Sequence, residues 1–306
     1  MRIFENANFD FIQNRTRGYI FSGILILISI FGLVTRGLEV GIDFSGGMEF
    51  VIETDAPLNV TAVRTTLADV LGSDPEVKTF GEGAILVRTL AEGDINEMQA
   101  RIIESINSAF PGVNPRVQKT DIVGPRFAED LKEGAVFAVL GSLLVIFAYI
   151  LIRFEWRFGL GAVVALFHDV FITLGLFALL HHLLPFSLQI DQTIIAALLT
   201  IVGYSLNDTV VVFDRIREYT NLFKTEAYPN IVNRSINNTL SRTLITSGTT
   251  LLVVITLFIL GGEVLRGFAF ALIVGIAIGT YSSIFVASPV VVELRLRADA
   301  QKAARR

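Results

Sequence analysis

The 306-residue chain contains no cysteine, which excludes disulfides, thiolate metal sites and a cysteine nucleophile. Its three histidines leave few candidates for zinc catalysis, and no metal site is expected. Charge is also scarce. Asp, Glu, Lys and Arg make up 18% of the residues, where a soluble domain carries about 25%. The net charge of −4 supplies no overall basic field, so no nucleic acid is expected as a partner. What the chain has in excess is apolar: 52% hydrophobic residues and a mean hydropathy of +0.62. A single core of this size could not hide that much apolar surface. The sequence describes an integral membrane protein.

A helix needs about 20 apolar residues to cross about 30 Å of hydrocarbon. Six stretches meet that test within a few residues: 18–34, 134–152, 158–180, 190–213, 243–260 and 267–291. The first is read as an uncleaved anchor, with a span over 18–35. Glu5 and Asp10 precede it, its apolar run exceeds that of a signal peptide, and Thr35-Arg36-Gly37 is no cleavage site. Orientation follows from basic residues in short loops. With six spans both termini share a side, and that side collects Arg15, Arg17, Arg153, Arg157, Arg215, Arg217, Lys224, Arg234, Arg295 and Arg297, whereas the short loops opposite contain only Arg266. The expected order is therefore a cytoplasmic N-terminus over 1–17 and an extracytoplasmic domain over 36–130. Five further spans follow over 131–291, interrupted by a cytoplasmic loop at 214–242, and a cytoplasmic tail at 292–306 ends the chain.

The outer domain is acidic. Residues 47–53, 76–80, 84–90 and 116–123 read as strands, with helices over 59–71, where Asn59 is placed as N-cap, and over 95–110. A hairpin is expected around Gly81-Glu82-Gly83. That βαββαβ order is the ferredoxin-like pattern. Its scattered acids read as a solvated face, the alternative being a docking surface for an exported chain. In Gly41-Ile42-Asp43-Phe44-Ser45-Gly46-Gly47 the glycines around Asp43 suggest a backbone-constrained entry to the first strand, a structural duty for Asp43, Gly46 and Gly47.

Ionisable groups inside a membrane are functional candidates by default, because burying each charge costs about 2.5–3.5 kcal/mol on insertion scales. Asp169 falls near the middle of the third span, and Asp208 lies toward the cytoplasmic end of the fourth. Tyr204 and Ser205 share a helix face with Asp208 by spacing, and Asn207 adjoins it. On the fifth span Arg242, Thr246 and Thr249 form a stripe at i, i+4 and i+7 that could meet the Asp208 face. Two readings stay open: a proton-relay carboxylate, or a buried polar clamp with no transport role. For His168-Asp169 the alternative to a role in the relay is helix-to-helix hydrogen bonding. His181 and His182 read as interfacial residues. On the sixth span Gly275, Gly279, Ser283 and Ala287, each four apart, permit close helix packing within the bundle. An amphipathic stretch over 231–240 is expected as a surface helix linking the fourth and fifth spans.

The motif that ends in Gly46-Gly47, Val123-Gly124-Pro125, Arg153-Phe154-Glu155-Trp156-Arg157 and Phe167-His168-Asp169-Val170 resemble the SecF family, related to the proton-driven RND transporters. Gly203-Tyr204-Ser205-Leu206-Asn207-Asp208, Phe213-Asp214-Arg215-Ile216-Arg217-Glu218 and the run from Arg242-Thr243 to Thr249-Thr250 follow in the same order. The resemblance covers nearly the whole chain. It implies a six-span (1+5) half-transporter of RND type in the bacterial inner membrane, paired with SecD and associated with SecYEG and YajC. Such a complex uses the proton-motive force to help draw exported polypeptides across the lipid bilayer. The resemblance places Asp208 as the proton carrier and Arg242 as its partner, with the proton as coupling ion, no other cofactor and no enzymatic activity. One charge crossing the membrane yields about 2.3 kcal/mol per 100 mV, enough for a few protons to bias a rocking motion.

Three rival readings are weaker. The outer domain is small for the porter domain of a small-molecule or lipid exporter. An intramembrane aspartyl protease would use Asp169 and Asp208, but Ser205-Leu206-Asn207 precedes Asp208 where that chemistry has G-x-G. A structural assembly factor would tolerate charge-neutral replacement of Asp208.

Overall fold

The computed structural model describes residues 8–71, 75–81, 83–90, 93–181, 183–184 and 186–305. Of the residues singled out above, Glu5, Glu82 and His182 lie outside that set. The chain divides into two compact units, one of residues 1–37, 139–179 and 196–306, the other of residues 38–138 and 180–195.

The first unit is helical. Its helices are α1 (Arg15–Thr35), α6 (Trp156–Leu180), α8 (Tyr228–Leu260), α9 (Gly262–Ser282) and α10 (Ser288–Ala304), with most of α5 (Pro125–Arg153) and α7 (Gln192–Leu222). Among the described residues, six segments are long and apolar enough to span a membrane: α1, α5, α6, α7, α8 and Val264–Ala304. The helices outrun their apolar stretches. At 1.5 Å per residue the 33 residues of α8 reach about 50 Å, so the charged first turns stand beyond the hydrocarbon. The stretch over 231–240 is accordingly not a separate surface helix but the first part of α8. Pro229 in the first turn starts that helix, and no glycine or proline interrupts it before Gly248.

Between α9 and α10 the chain makes a π-helical turn, Ser283–Ala287. Pro289 follows in the first turn of α10, and having no N–H it cannot continue the i→i−4 ladder. Ser288 Oγ instead donates to the Ser283 carbonyl at 2.8 Å. The small-residue stripe packs inward, as a Cβ on Gly275 would meet Ile201 and one on Gly279 would meet Ser205, both on α7.

The second unit carries the sheet, with β1 (Gly47–Glu53), β2 (Glu76–Phe80), β3 (Ala84–Thr89) and β4 (Arg116–Val123). It is fully antiparallel in the order β2-β3-β1-β4, the ferredoxin-like arrangement. Helices α3 (Val60–Leu71) and α4 (Ile95–Ala109) supply the other half of its core. Met48, Phe50 and Ile52 of β1 alternate onto the face that meets Leu67, Ile102 and Ile106. The opposite face is also covered, with Leu86 beside Phe186 and Leu188. Asn59 and Asp94 cap α3 and α4 through backbone N–H groups two and three residues on.

The glycine-rich entry to β1 has a geometric reason. Residues Ile42–Ser45 form the single turn α2, after which Gly46 takes φ +72° and Gly47 φ +134°. A Cβ on Gly47 would stand 2.9 Å from the Thr89 carbonyl oxygen. Asp43 Oδ2 accepts from the Gln192 N–H at 2.9 Å, so this motif caps the start of α7.

Candidate functional site: two buried carboxylates

Asp169 on α6 and Asp208 on α7 are 1% and 4% exposed. Their surroundings differ. Asp169 is saturated: Ser205 Oγ and Ser282 Oγ donate to its Oδ2 at 2.6 and 2.7 Å, and His168 Nδ1 lies 2.9 Å from Oδ1. The other imidazole nitrogen, Nε2, meets Ser22 Oγ of α1 at 3.0 Å. Ser22 Oγ in turn lies 3.1 Å from the Tyr281 hydroxyl, which donates to the Gly18 carbonyl at 2.6 Å. One carboxylate thus ties α1, α6, α7 and α9 together.

Asp208 is sparsely bonded. Ser247 Oγ of α8 donates to Oδ2 at 3.4 Å, a long hydrogen bond, and Thr280 Oγ1 of α9 lies 2.7 Å from Ser247 Oγ. Thr243 lies beside the carboxyl group, but its buried hydroxyl has no partner at hydrogen-bonding geometry among the described residues. Arg242 acts on Asp208 by charge, but the two form no ion pair among the described residues. Thr280 and Ser282, two residues apart on α9, therefore reach the surroundings of both carboxylates.

The structure regroups the expected residues. Ser205 shares the helix with Asp208 but donates to Asp169. The Tyr204 hydroxyl is buried and has no partner among the described residues, and Asn207 is exposed. On α8 the stripe at Arg242, Thr246 and Thr249 is not the inward one: Arg242 and Thr249 are exposed on this chain, while Thr243 and Ser247 are buried. Thr249 spends its hydroxyl on its own helix, at the Ile245 and Thr246 carbonyls. The two stripes differ by one residue, about 100° of rotation, and the pattern alone favours neither. The Thr280–Ser283 run was the other signal available, four adjacent polar residues in an otherwise apolar span.

No group of three or more His, Cys, Asp or Glu able to hold a metal occurs among the described residues.

The chain matches a family of known proteins. Residues 102–297 match the family described as protein export membrane protein SecD/SecF, C-terminal, and residues 31–58 match the SecD/SecF GG motif. The protein translocase subunit SecF of Rhodothermus marinus is 71% identical over 302 residues, 99% of this chain and 98% of that one. The SecF subunit of Vibrio alginolyticus is 43% identical over 92% of this chain and 88% of its own. Among solved structures, the crystal structure of SecDF from Thermus thermophilus, a translocon-associated membrane protein, superposes with a TM-score of 0.86 at 37% identity. That match covers 96% of this chain and 40% of the SecDF chain. A second SecDF structure, in the super-membrane-facing form, gives a TM-score of 0.72 at 36% identity, again with 40% of its chain covered.

Proposed function

This chain belongs to the SecF family of protein translocase subunits, and from that premise we propose that it couples proton entry at Asp208 to Sec-dependent protein export. The observation that carries the reading is the contrast between the two carboxylates. Asp169 accepts from two serine hydroxyls and contacts an imidazole, so a change in its protonation would break a network joining four helices. Among the described residues Asp208 accepts one hydrogen bond of good geometry, at 3.4 Å, with Thr243 beside it, and can exchange a proton with little rearrangement. Structure-holding falls to Asp169 and proton-carrying to Asp208.

Arg242 takes the electrostatic part. Lying beyond ion-pair range, it biases the carboxylate without locking it. When Asp208 is protonated that attraction lapses, the existing Ser247–Thr280 contact is free to rearrange, and α8 shifts against α9. Because Asp43 caps α7, the helix that carries Asp208, such a shift has a mechanical route to the GG motif. No cofactor besides the proton is needed, and no step is catalytic.

SecD is the proposed partner, since the SecDF chains are about two and a half times the length of this one. The apolar faces of α5 and α8, with Phe137, Leu144, Leu252 and Val253 exposed, offer surface for that second half or for lipid. SecYEG, YajC and the exported polypeptide complete the assembly. The proposed setting is the bacterial inner membrane, with both termini cytoplasmic and the sheet domain outside.

The test is export of a model secretory protein by vesicles containing the SecD complex, with and without a proton gradient. Asp208→Asn is expected to abolish the gradient-dependent fraction while the complex still assembles. Unchanged gradient dependence in the assembled variant would leave Asp208 as a structural group.

A further inference from the structure

At the end of the helical unit that carries both termini, a cavity of about 230 Å³ opens between four helices. Glu155 just before α6 and Arg157 in its first turn line it, with Arg217 and Asn221 from the end of α7, Tyr228 from the start of α8 and Arg295 from α10. Three arginines against one glutamate leave an excess of two positive charges. The void is smaller than the cavities that hold drug-sized molecules, which suits a compact polar group.

Several of its donors are unspent. Arg157 Nη1 pairs with the largely exposed Glu155 at 3.2 Å, but its Nε is buried and has no hydrogen-bond partner among the described residues. A buried donor without an acceptor is a cost the fold ordinarily avoids. Arg217 makes one long bond, 3.4 Å to the Arg153 carbonyl, and no ion pair among the described residues. Arg295 reaches exposed Asp299 only at 3.5 Å and lies over the Tyr228 ring. By contrast Arg15, Arg153 and Arg215 each meet an acid at 2.8–2.9 Å. Arginine N–H forks match phosphate oxygens. The position matters as well, because Trp156 stands where α6 leaves the apolar region, the headgroup level favoured by amphipathic rings.

We propose that this cavity binds the phosphate of an anionic phospholipid headgroup, with Arg157, Arg217 and Arg295 as its ligands and Tyr228 and Asn221 as neutral donors. Basic pockets between helices at a membrane border bind such headgroups. The lipid would bridge α6, α7, α8 and α10 at the end of the bundle nearest Asp208.

Trp156 is the only tryptophan in the chain, and the Arg157 guanidinium lies 5.2 Å from its ring, so the protein carries its own reporter. The full chain in nanodiscs is titrated with acyl-brominated phosphatidylglycerol or acyl-brominated phosphatidylcholine, and Trp156 quenching is followed. The expected result is quenching at lower mole fraction of the anionic lipid, with affinity falling about fivefold for each of the three arginines replaced by glutamine. Arg297→Gln, outside the cavity, keeps wild-type quenching. Arg217→Gln alone, at an exposed position, serves if the triple variant does not assemble. Millimolar inorganic phosphate that displaces the lipid would confirm the phosphate chemistry at the same arginines. Protection from quenching by phosphate in discs lacking anionic lipid would assign the site to the free ion. Equal quenching by both lipids, or an anionic preference that survives Arg217→Gln and the triple variant, would overturn the proposal.

Discussion

At the residue scale, the two buried acids make opposite predictions. Asp169→Ala removes the acceptor shared by Ser205 and Ser282 and the contact of His168. Each buried donor left alone costs about 1–3 kcal/mol, so thermal unfolding in detergent should show a loss of about 3 kcal/mol or more. Asp208→Asn keeps an acceptor for Ser247 and should change stability by less than about 1 kcal/mol. Sequence reasoning found both acids, because a charge in an apolar span is conspicuous. It could not divide the hydroxyls between them: Ser205 lies three residues before Asp208 on one helix, and only the packing of α6 and α9 against α7 sends its proton to Asp169. Asp43 is a third case. Its type and its glycine neighbours marked a constrained turn, but the N–H it accepts from belongs to Gln192, far along the chain. Asp43→Ala should cost about 1 kcal/mol through the lost helix cap and Asp43→Asn less, because asparagine also caps.

At the element scale, helix contacts depend on missing side chains. A Cβ on Gly175 of α6 would lie 2.1 Å from the Ser29 Cβ and 2.5 Å from the Ser29 Cα of α1, so the two backbones must part to admit it. Gly175→Ala should therefore destabilise by about 1–3 kcal/mol. Gly141→Ala on α5, where nothing lies within 4 Å, should be neutral or slightly stabilising; paired melting curves separate the two. Hydropathy revealed that these helices exist but not where they end, since it reads the apolar middle while α7 and α8 run on through charged turns. The sheet was legible from alternation and caps. Its polar tie was not: Arg88 of β3, 10% exposed, joins Glu49 of β1 at 2.9 Å and Glu76 of β2 at 3.1 Å and also bonds Gln189. Burial alone would raise the Glu76 carboxyl, but its hydrogen bond to Lys78 and the charges of Lys78, Arg88 and Arg64 outweigh that and hold it below its ordinary value of 4.5. A depressed carboxyl stabilises the fold above that value and loses the contribution as pH falls through its folded value. Amide hydrogen exchange in β2 and β3 should accelerate as pH drops below 4.5, after correction for the intrinsic rate. Glu76→Gln should flatten that dependence.

For the whole molecule, composition and span count led to a membrane protein with one sheet domain, and the motifs led to the family. The resemblance proposed Asp208 as the proton carrier, and its sparser hydrogen bonding beside that of Asp169 supports the proposal, a contrast that sequence could not supply because both acids sit in spans with polar neighbours. In the proposed mechanism the bundle has a fixed part, the Asp169 network across α1, α6, α7 and α9, and a movable part, Asp208 with Ser247 and Thr280 between α7, α8 and α9. Proton flux through the SecD complex tests that division most directly. Reconstituted in liposomes under an imposed membrane potential, the wild-type complex should acidify or alkalinise an enclosed pH-sensitive dye faster than protein-free vesicles. Asp208→Asn, assembled and as heat-stable as the wild type, should fall to the protein-free rate. A wild-type flux through the Asp208→Asn complex would contradict the account.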